Sequence, residues 1–241
     1  MLAVMRGGES ADPLIGATLG DRFQLAARMS SGPLGAIYRA IDLVSGRGVT
    51  VRLLPPAAAA APGIVGRFRH EGPARTTLRD PHTLTAYELG EAPGMLYIVM
   101  ELLLGENLDD ALRRNGGPLP WRRVAAIARA VCSSLAEAHS RAMMHGDIRP
   151  SNIFVQNRDG ADVVKVIELG IARILNPTHP SAGPFDATYD LYGLGLVMYD
   201  LIAPGRSPNG ATPAPLIQRA QIPPELDHVV NRCTARDPHA R

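Results

Sequence analysis

The chain has 241 residues, 46% of them hydrophobic, which is enough to bury the core of one large domain or of two small lobes. Its net charge of +2 is too small and too evenly spread to favour a nucleic-acid or anionic-membrane surface. The two cysteines, Cys132 and Cys233, lie far apart and indicate neither a disulfide framework nor a zinc site, which fits a reducing cytoplasm. The longest apolar stretch is broken by Glu101 and is too short to span a bilayer, so we expect a cytoplasmic protein without membrane contact.

The first half of the chain predicts a β-rich lobe. Residues 1–18 are small and polar and predict a flexible leader. Between residues 23 and 54 apolar residues alternate in three segments that are separated by turn residues, which predicts a three-stranded antiparallel meander. A loop over Pro55–Gly63 and a helix interrupted at Gly72 and Pro73 should follow, and then two more strands.

The second half predicts a helical lobe. After residue 101 the apolar positions recur at helical spacing, and Trp121–Met143 should form one long amphipathic helix. A hairpin is predicted around Asn157–Gly160, and an apolar core helix over Asp190–Ile202. The sequence therefore predicts an α+β fold of two lobes, over residues 19–101 and 102–241.

The most specific motif is the segment His145-Gly146-Asp147-Ile148-Arg149-Pro150-Ser151-Asn152-Ile153. It resembles the catalytic loop H-R-D-x-x-x-x-N of protein kinases, in particular the bacterial Ser/Thr kinases of eukaryotic type. The resemblance extends over Leu19–Arg241 and implies a bilobal protein-kinase-like fold. It also implies that Asp147 accepts the proton of a substrate hydroxyl, that Asn152 holds magnesium, and that Arg149 replaces a lysine near the transferred phosphate.

A second motif, Glu168-Leu169-Gly170, resembles the metal-binding D-F-G of the same family. The resemblance implies that Glu168 and Asn152 are the metal ligands. Glutamate carries its carboxylate about one methylene further out than aspartate, and magnesium demands ligands near 2.0–2.1 Å, so we expect weak metal binding to survive while turnover is lost.

The nucleotide-binding motifs are similar to those of kinases but altered. Ser30–Ile37 is similar to G-x-G-x-x-G-x-V, with serine at the first glycine; alone, this segment is more typical of a plain hairpin turn. Val49–Arg52 stands where kinases carry V-A-I-K, and Glu71 is the best match for the helix glutamate that pairs with the lysine. The resemblance implies an ATP site formed by Gly32, Gly35, Ile37, Thr50, Arg52, Glu101, Leu103, Asn152 and Glu168.

The segment before the core helix is short. Only 19 residues, Ile171–Tyr189, separate the E-L-G motif from Asp190, and no A-P-E motif is visible between them. The ending Asp237–Arg241 is similar to D-P-x-x-R, whose arginine pairs with the A-P-E glutamate in the family. We therefore expect a shortened activation segment without a peptide platform.

These changes favour a pseudokinase: a regulatory module that binds a protein partner and has weak or no affinity for ATP and magnesium. Its altered catalytic set would be Asp147, Arg52, Glu71 and Arg149. One alternative is an atypical active Ser/Thr kinase in which Arg52 and Arg149 act for the lysines. A small-molecule phosphotransferase, for which H-G-D-x-x-x-x-N is the usual loop, and a scaffold without any ligand also remain open.

Overall fold

The computed structural model describes residues 12–158, 160–176, 178, 186–204, 215–218 and 220–241. These residues form two compact units. The first comprises residues 12–65 and Ala86–Leu102, and the second comprises Gly66–Thr85 and the described part of Leu103–Arg241. The first is mainly β-sheet and the second mainly helical, so the predicted α+β class is confirmed.

The first unit is built on a six-stranded antiparallel sheet in the order β1-β2-β3-β4-β6-β5. Side chains that alternate along these strands, among them Leu25, Tyr38 and Val51, are buried together on one face and form the core of the unit. The predicted meander and the two later strands are confirmed. The strands are β1 Thr18–Leu19, β2 Phe23–Gly32, β3 Gly35–Asp42, β4 Gly48–Leu53, β5 Ala86–Ala92 and β6 Met95–Glu101.

The predicted leader is only partly described, because residues 1–11 lie outside the described ranges. Residues 12–18 differ from the prediction, since they are bonded to the sheet. Asp12 accepts a hydrogen bond from Tyr38 Oη at 2.8 Å, and Leu14 packs against the core of the unit. Backbone bonds from Gly16 and Ala17 to Leu25 add to the bond from Tyr38, which is 26 positions from Asp12, and local composition does not reveal these contacts.

Two predictions between the strands were wrong. The expected loop contains a short helix, α1 Pro56–Ala59, and helix α2 Pro62–Arg75 continues through Pro73 instead of stopping before it. An interior proline costs a helix about 3 kcal/mol. Here the last turn is held from outside the backbone, because Arg75 Nη1 donates to the Glu71 carbonyl oxygen at 2.8 Å.

The second unit packs helices around an apolar core with a small sheet of order β7-β8-β9. The predicted long helix ends at Ser140, three residues before the predicted Met143, and the predicted core helix is confirmed, although it begins three residues earlier. The predicted hairpin is confirmed as β8 and β9. The elements are β7 Glu106–Asn107, α3 Leu108–Asn115, α4 Trp121–Ser140, β8 Ile153–Arg158, β9 Ala161–Val166, α5 Ile171–Leu175, α6 Ala187–Ile202 and α7 Pro224–Cys233.

Two further observations concern membrane-spanning helices and the state of the cysteines. Within the described ranges, none of the helices combines the length and the hydrophobicity needed to cross a membrane. Both cysteines, Cys132 and Cys233, are free thiols.

Candidate functional site

The segment His145–Asn152 follows α4 in the helical unit and is anchored on Asp190, which is fully buried. The amides of His145 and Gly146 donate to the two carboxylate oxygens of Asp190 at 2.8 and 2.7 Å, and His139 Nε2 lies 2.8 Å from Oδ2. Burial alone raises the pKa of Asp190, but the bonds from His139 and the two amides outweigh it, so the pKa lies below its ordinary value. Asp190 is therefore an ionised anchor for the start of the loop.

His145 connects this loop to the E-L-G turn. The Asp147 amide donates to its Nδ1 at 3.2 Å, so Nε2 carries the proton and donates to the Ile167 carbonyl oxygen at 2.8 Å. Burial lowers the pKa of His145, although the carboxylate of Asp190 acts in the opposite direction. His145 is thus a neutral structural histidine.

The structure brings Asp147, Asn152 and Arg149 together. Asn152 Nδ2 donates to the carbonyl oxygen of Asp147 at 2.8 Å and to its carboxylate Oδ2 at 2.9 Å. Arg149 Nε lies 3.3 Å from the same carboxylate oxygen, and its side chain is 56% exposed. The carboxylate of Asp147 is held in one orientation while remaining accessible, as a general base requires.

The Glu168-Leu169-Gly170 turn lies against the same loop. The Ile167 amide donates to the Asn152 carbonyl oxygen at 3.0 Å, and the Gly170 amide donates to that of His145 at 2.9 Å. Glu168 is buried and has φ +66°, a conformation that costs most side chains about 1 kcal/mol or more. The backbone of the turn is therefore fixed against the loop and strained at Glu168.

Sequence reasoning missed Arg75, a buried side chain behind this turn. Its Nε donates to the Leu169 carbonyl oxygen at 2.7 Å, and a Cβ on Gly170 would lie 2.3 Å from its Nη2. Burial lowers the pKa of Arg75 to about 10, and Glu71 partly offsets the effect. The spacing of four residues between Glu71 and Arg75 was a usable signal, but ending α2 at Pro73 placed Arg75 outside the helix.

In the sheet unit, the glycine-rich segment is a hairpin in which Gly32 pairs with Gly35 across a two-residue turn. Gly35 has φ +102°, and a Cβ there would lie 1.9 Å from the Leu53 carbonyl oxygen, whereas Gly32 has open space around it. Gly35 is thus required by the packing of the sheet itself.

Arg52 lies on β4 beside this hairpin and is 5% exposed. It pairs with Ile37 in the sheet register, and its Nη1 donates to the Leu34 carbonyl oxygen at the hairpin tip at 3.1 Å. Thr50 lies two residues earlier on the same face of β4. The sheet unit therefore brings Ile37, Thr50 and Arg52 together.

The remaining predicted site residues, Glu101 and Leu103, belong to different units. Glu101 is the last residue of β6 and pairs with Val49, and Leu103 lies in the helical unit before β7. The middle of the predicted short activation segment, residues 177 and 179–185, lies outside the described ranges. Arg241, which pairs with the A-P-E glutamate in the resembled family, donates here to the carbonyl oxygens of Ala235 and Thr188 at 2.8 and 3.3 Å.

The proposed metal ligands, Asn152 and Glu168, carry oxygen atoms, which are the ligands that magnesium prefers. Because Asn152 Nδ2 is used by Asp147, the amide oxygen is the atom left for a cation, and Glu168 adds a carboxylate. Among the described residues there is no group of three or more His, Cys, Asp or Glu side chains arranged around a metal position. Asn152 and Glu168 would therefore have to share the ion with other oxygen ligands.

Comparison with known proteins agrees with this arrangement. The family model described as "Protein kinase domain" matches residues 23–241. The chain is 30% identical to the serine/threonine-protein kinase Pkn1 of Myxococcus xanthus over 97% of its own length, and 31% identical to PknB of Mycolicibacterium smegmatis over 92%. It spans only 38% and 41% of the lengths of these two relatives.

Solved structures give the same result. The PknI kinase domain of Mycobacterium tuberculosis has a TM-score of 0.78 at 27% identity and covers 94% of this chain and 93% of its own. Rad53 in complex with AMP-PNP has a TM-score of 0.75 at 17% identity, covering 91% and 62%, which shows the fold alone. The predicted protein-kinase fold is confirmed, with its β-rich and helical lobes, and the chain belongs to the protein kinase domain family, with bacterial serine/threonine-protein kinases among its relatives.

Proposed function

We propose that this kinase domain is a pseudokinase, a cytoplasmic regulatory module that binds a protein partner and transfers phosphate negligibly. The observation that carries the proposal is the bond between Arg52 and the Leu34 carbonyl oxygen. In the family a lysine at this position contacts the α- and β-phosphates. Arg52 donates to the tip of the glycine-rich hairpin, and its wide planar guanidinium is a poor replacement for a compact ammonium.

The metal-binding position supports the same proposal. Glu168 has one methylene more than aspartate, so its carboxylate reaches further from the backbone than that of the shorter residue, and the backbone at Glu168 is itself strained. A displacement near 1 Å in a reacting group can slow a reaction ~100-fold. When bound between Asn152 and Glu168, magnesium would neutralise phosphate charge; the chain itself would supply Asp147 as proton acceptor, oriented by Asn152.

An active Ser/Thr kinase is the second candidate. It is favoured by the bond of 2.9 Å between Asn152 Nδ2 and Asp147 Oδ2, which holds the proton acceptor as the reaction requires. Under this alternative the two arginines, Arg52 and Arg149, would replace the missing lysines.

Ligand-dependent stabilisation tests nucleotide binding. Thermal unfolding is followed at 10 mM ATP with and without magnesium or manganese, and a Kd of about 1 mM would add about 1.4 kcal/mol under these conditions. We expect a smaller effect for the wild type. We expect the double substitution Arg52→Lys and Glu168→Asp to increase the metal-dependent stabilisation, because it restores the compact cation and the shorter carboxylate.

Phosphate transfer from radiolabelled ATP to the protein itself or to a generic acceptor distinguishes the two candidates. The pseudokinase proposal expects no magnesium-dependent transfer above that of Asp147→Asn. Robust transfer that Asp147→Asn abolishes and the exposed control Glu225→Gln retains would establish the active kinase.

A further inference from the structure

A groove of about 1020 Å³ lies entirely within the helical unit, between α4 and the hairpin of β8 and β9. It shares no residue with the catalytic loop or the E-L-G turn. Its lining includes His82 and the charged residues Arg114, Arg122, Arg123, Arg129 and Asp162. Four arginines therefore line one groove of a protein whose net charge is only +2.

Two of these arginines are already paired. Arg123 binds Asp162 through two bonds of 2.6 and 3.1 Å, and Arg114 binds Glu106 at 2.7 Å. These pairs fix the guanidinium groups and reduce their attraction for a ligand. They also bring the carboxylates of Asp162 and Glu106 to the arginines of the groove, where they would repel a polyanion.

The other two arginines supply the available positive charge. Arg122 is exposed and lies over the Trp121 ring, with its Cζ 4.4 Å from the ring centroid. Arg129 is exposed and makes no hydrogen bond or ion pair with any residue that the structure describes. Both are on α4, seven residues apart, which is two turns along one helix face.

The floor between them includes the buried Ile127 and the small residue Ala126. Ala126 and Ala130 lie in the groove lining between and beside the two arginines, and Ser133 continues the same face. From Arg122 to Ser133 the helix rises about 16 Å, which matches about five residues of extended chain. The groove is therefore suited in length to a short linear peptide.

We propose that this groove binds an acidic, extended segment of a partner protein, with its Asp or Glu side chains on Arg122 and Arg129. Carboxylates fit the planar fork of arginine in a bidentate manner. A nucleic acid fits less well, because Asp162 lies in the wall and only 5% of the chain is aromatic, so continuous phosphate contact and base stacking are both poorly supported.

The inference rests on the proposed function in one respect, since a binding module needs a partner. It concerns a surface that takes no part in nucleotide chemistry, so the two can be tested separately. All binding measurements are therefore made without ATP and magnesium.

Fluorescence anisotropy tests the groove with a labelled ten-residue peptide of alternating glutamate and serine. The neutral comparison is the same peptide with glutamine. We expect the glutamate peptide alone to bind, more weakly as salt rises. The double substitution Arg122→Ala and Arg129→Ala should weaken binding about tenfold, as expected for the loss of two partly exposed ion pairs.

The matched control removes two exposed arginines elsewhere, Arg39→Ala and Arg232→Ala, with the same change in net charge. It should alter affinity by less than about twofold, as substitutions away from the groove usually do. Equal weakening by the control, equal binding of the glutamine peptide, or tighter binding of a single-stranded DNA ten-mer would overturn the proposal. Thermal unfolding of each variant verifies that it is folded.

Failure of this inference and failure of the proposed function have different signatures. If the glutamate peptide does not bind selectively and no phosphotransfer is detected, the groove proposal is wrong and the pseudokinase proposal stands. If peptide binding depends on Arg122 and Arg129 and magnesium-dependent phosphotransfer is also detected, the groove proposal stands and the pseudokinase proposal is wrong.

Discussion

The catalytic loop and the glycine-rich hairpin both belong to the phosphate-binding machinery of the family, but they are stabilised differently. The loop over residues 145–152 is held by buried polar groups, with Asp190 and His145 fully enclosed. The hairpin is a two-residue turn whose residues 30–33 are exposed, and its tip is bonded by the side chain of Arg52.

The difference separates framework from reactive positions. His145, Gly170 and Asp190 connect segments of the loop and the turn, and they match the family pattern. The altered residues, Arg52, Arg149 and Glu168, are those that contact phosphate or metal in the family. The fold is therefore maintained by one set of residues while the chemistry depends on another, and the two sets can change independently.

The largest effect is expected at the loop anchor. Asp190→Ala leaves the amides of His145 and Gly146 and the ring of His139 without their acceptor, so the free energy of unfolding should fall by about 3–5 kcal/mol. Urea denaturation measures it. The exposed control Glu225→Ala should change stability by less than about 0.5 kcal/mol. A loss at Asp190 no larger than that of the control would show that the loop does not depend on its anchor.

The two glycines of the hairpin give the next contrast. Gly35→Ala places a Cβ against the Leu53 carbonyl oxygen in an unfavourable φ region and should destabilise the protein by about 3 kcal/mol. Gly32→Ala meets no atom within 4 Å and should be within about 1 kcal/mol of the wild type. Thermal unfolding of both variants tests this, and equal losses would contradict it.

Gly170 of the E-L-G turn can be compared with Gly46 of the sheet unit, because the two have nearly the same φ. Gly170 and Gly46 have φ of +68° and +69°, but only Gly170 has a neighbour, the guanidinium of Arg75, in the way of a Cβ. Gly46→Ala should lose about 1 kcal/mol and Gly170→Ala about 2 kcal/mol. If the guanidinium is the cause, adding Arg75→Ala to Gly170→Ala should give a non-additive loss in denaturation experiments, and simple additivity would exclude it.

The smallest effect concerns pH and His145. Burial lowers its pKa in the folded state, so below pH 6.5 the unfolded chain takes up the proton first and stability falls as pH decreases. We expect stability to fall from pH 6.5 to 5.5 by no more than about 1.4 kcal/mol per pH unit, which is the limit for a difference of one bound proton. The lowered pKa of Asp190 adds no loss in this window, since its contribution decreases only below the ordinary pKa of a carboxyl.

Urea denaturation at pH 7.5, 6.5 and 5.5 measures this slope. His145→Gln removes the titrating ring and should flatten the slope, whereas His239→Gln, at an exposed histidine, should retain it. An unchanged slope in His145→Gln would mean that other groups cause the pH dependence.

Local pattern was sufficient for most elements and for the reactive pair. Strand alternation over residues 23–54 and helical spacing after Trp121 predicted the sheet and the long helix. The five-residue spacing of Asp147 and Asn152 confines both to one loop, where the structure joins them by a hydrogen bond. Prediction was wrong at Pro73, because the contact that supports the last turn of α2 comes from the side chain of Arg75.

The sequence by itself determined the order of the motifs, the fold class and the positions at which the family pattern is altered, because each depends on residues close together in the chain. Only the tertiary structure decided that Arg75 supports the E-L-G turn, that Asp190 anchors the catalytic loop, and that Arg122 and Arg129 line a groove with the β8–β9 hairpin. These contacts join segments that are distant in sequence, and periodicity over a few turns of helix or strand carries no information about which distant segment packs against it.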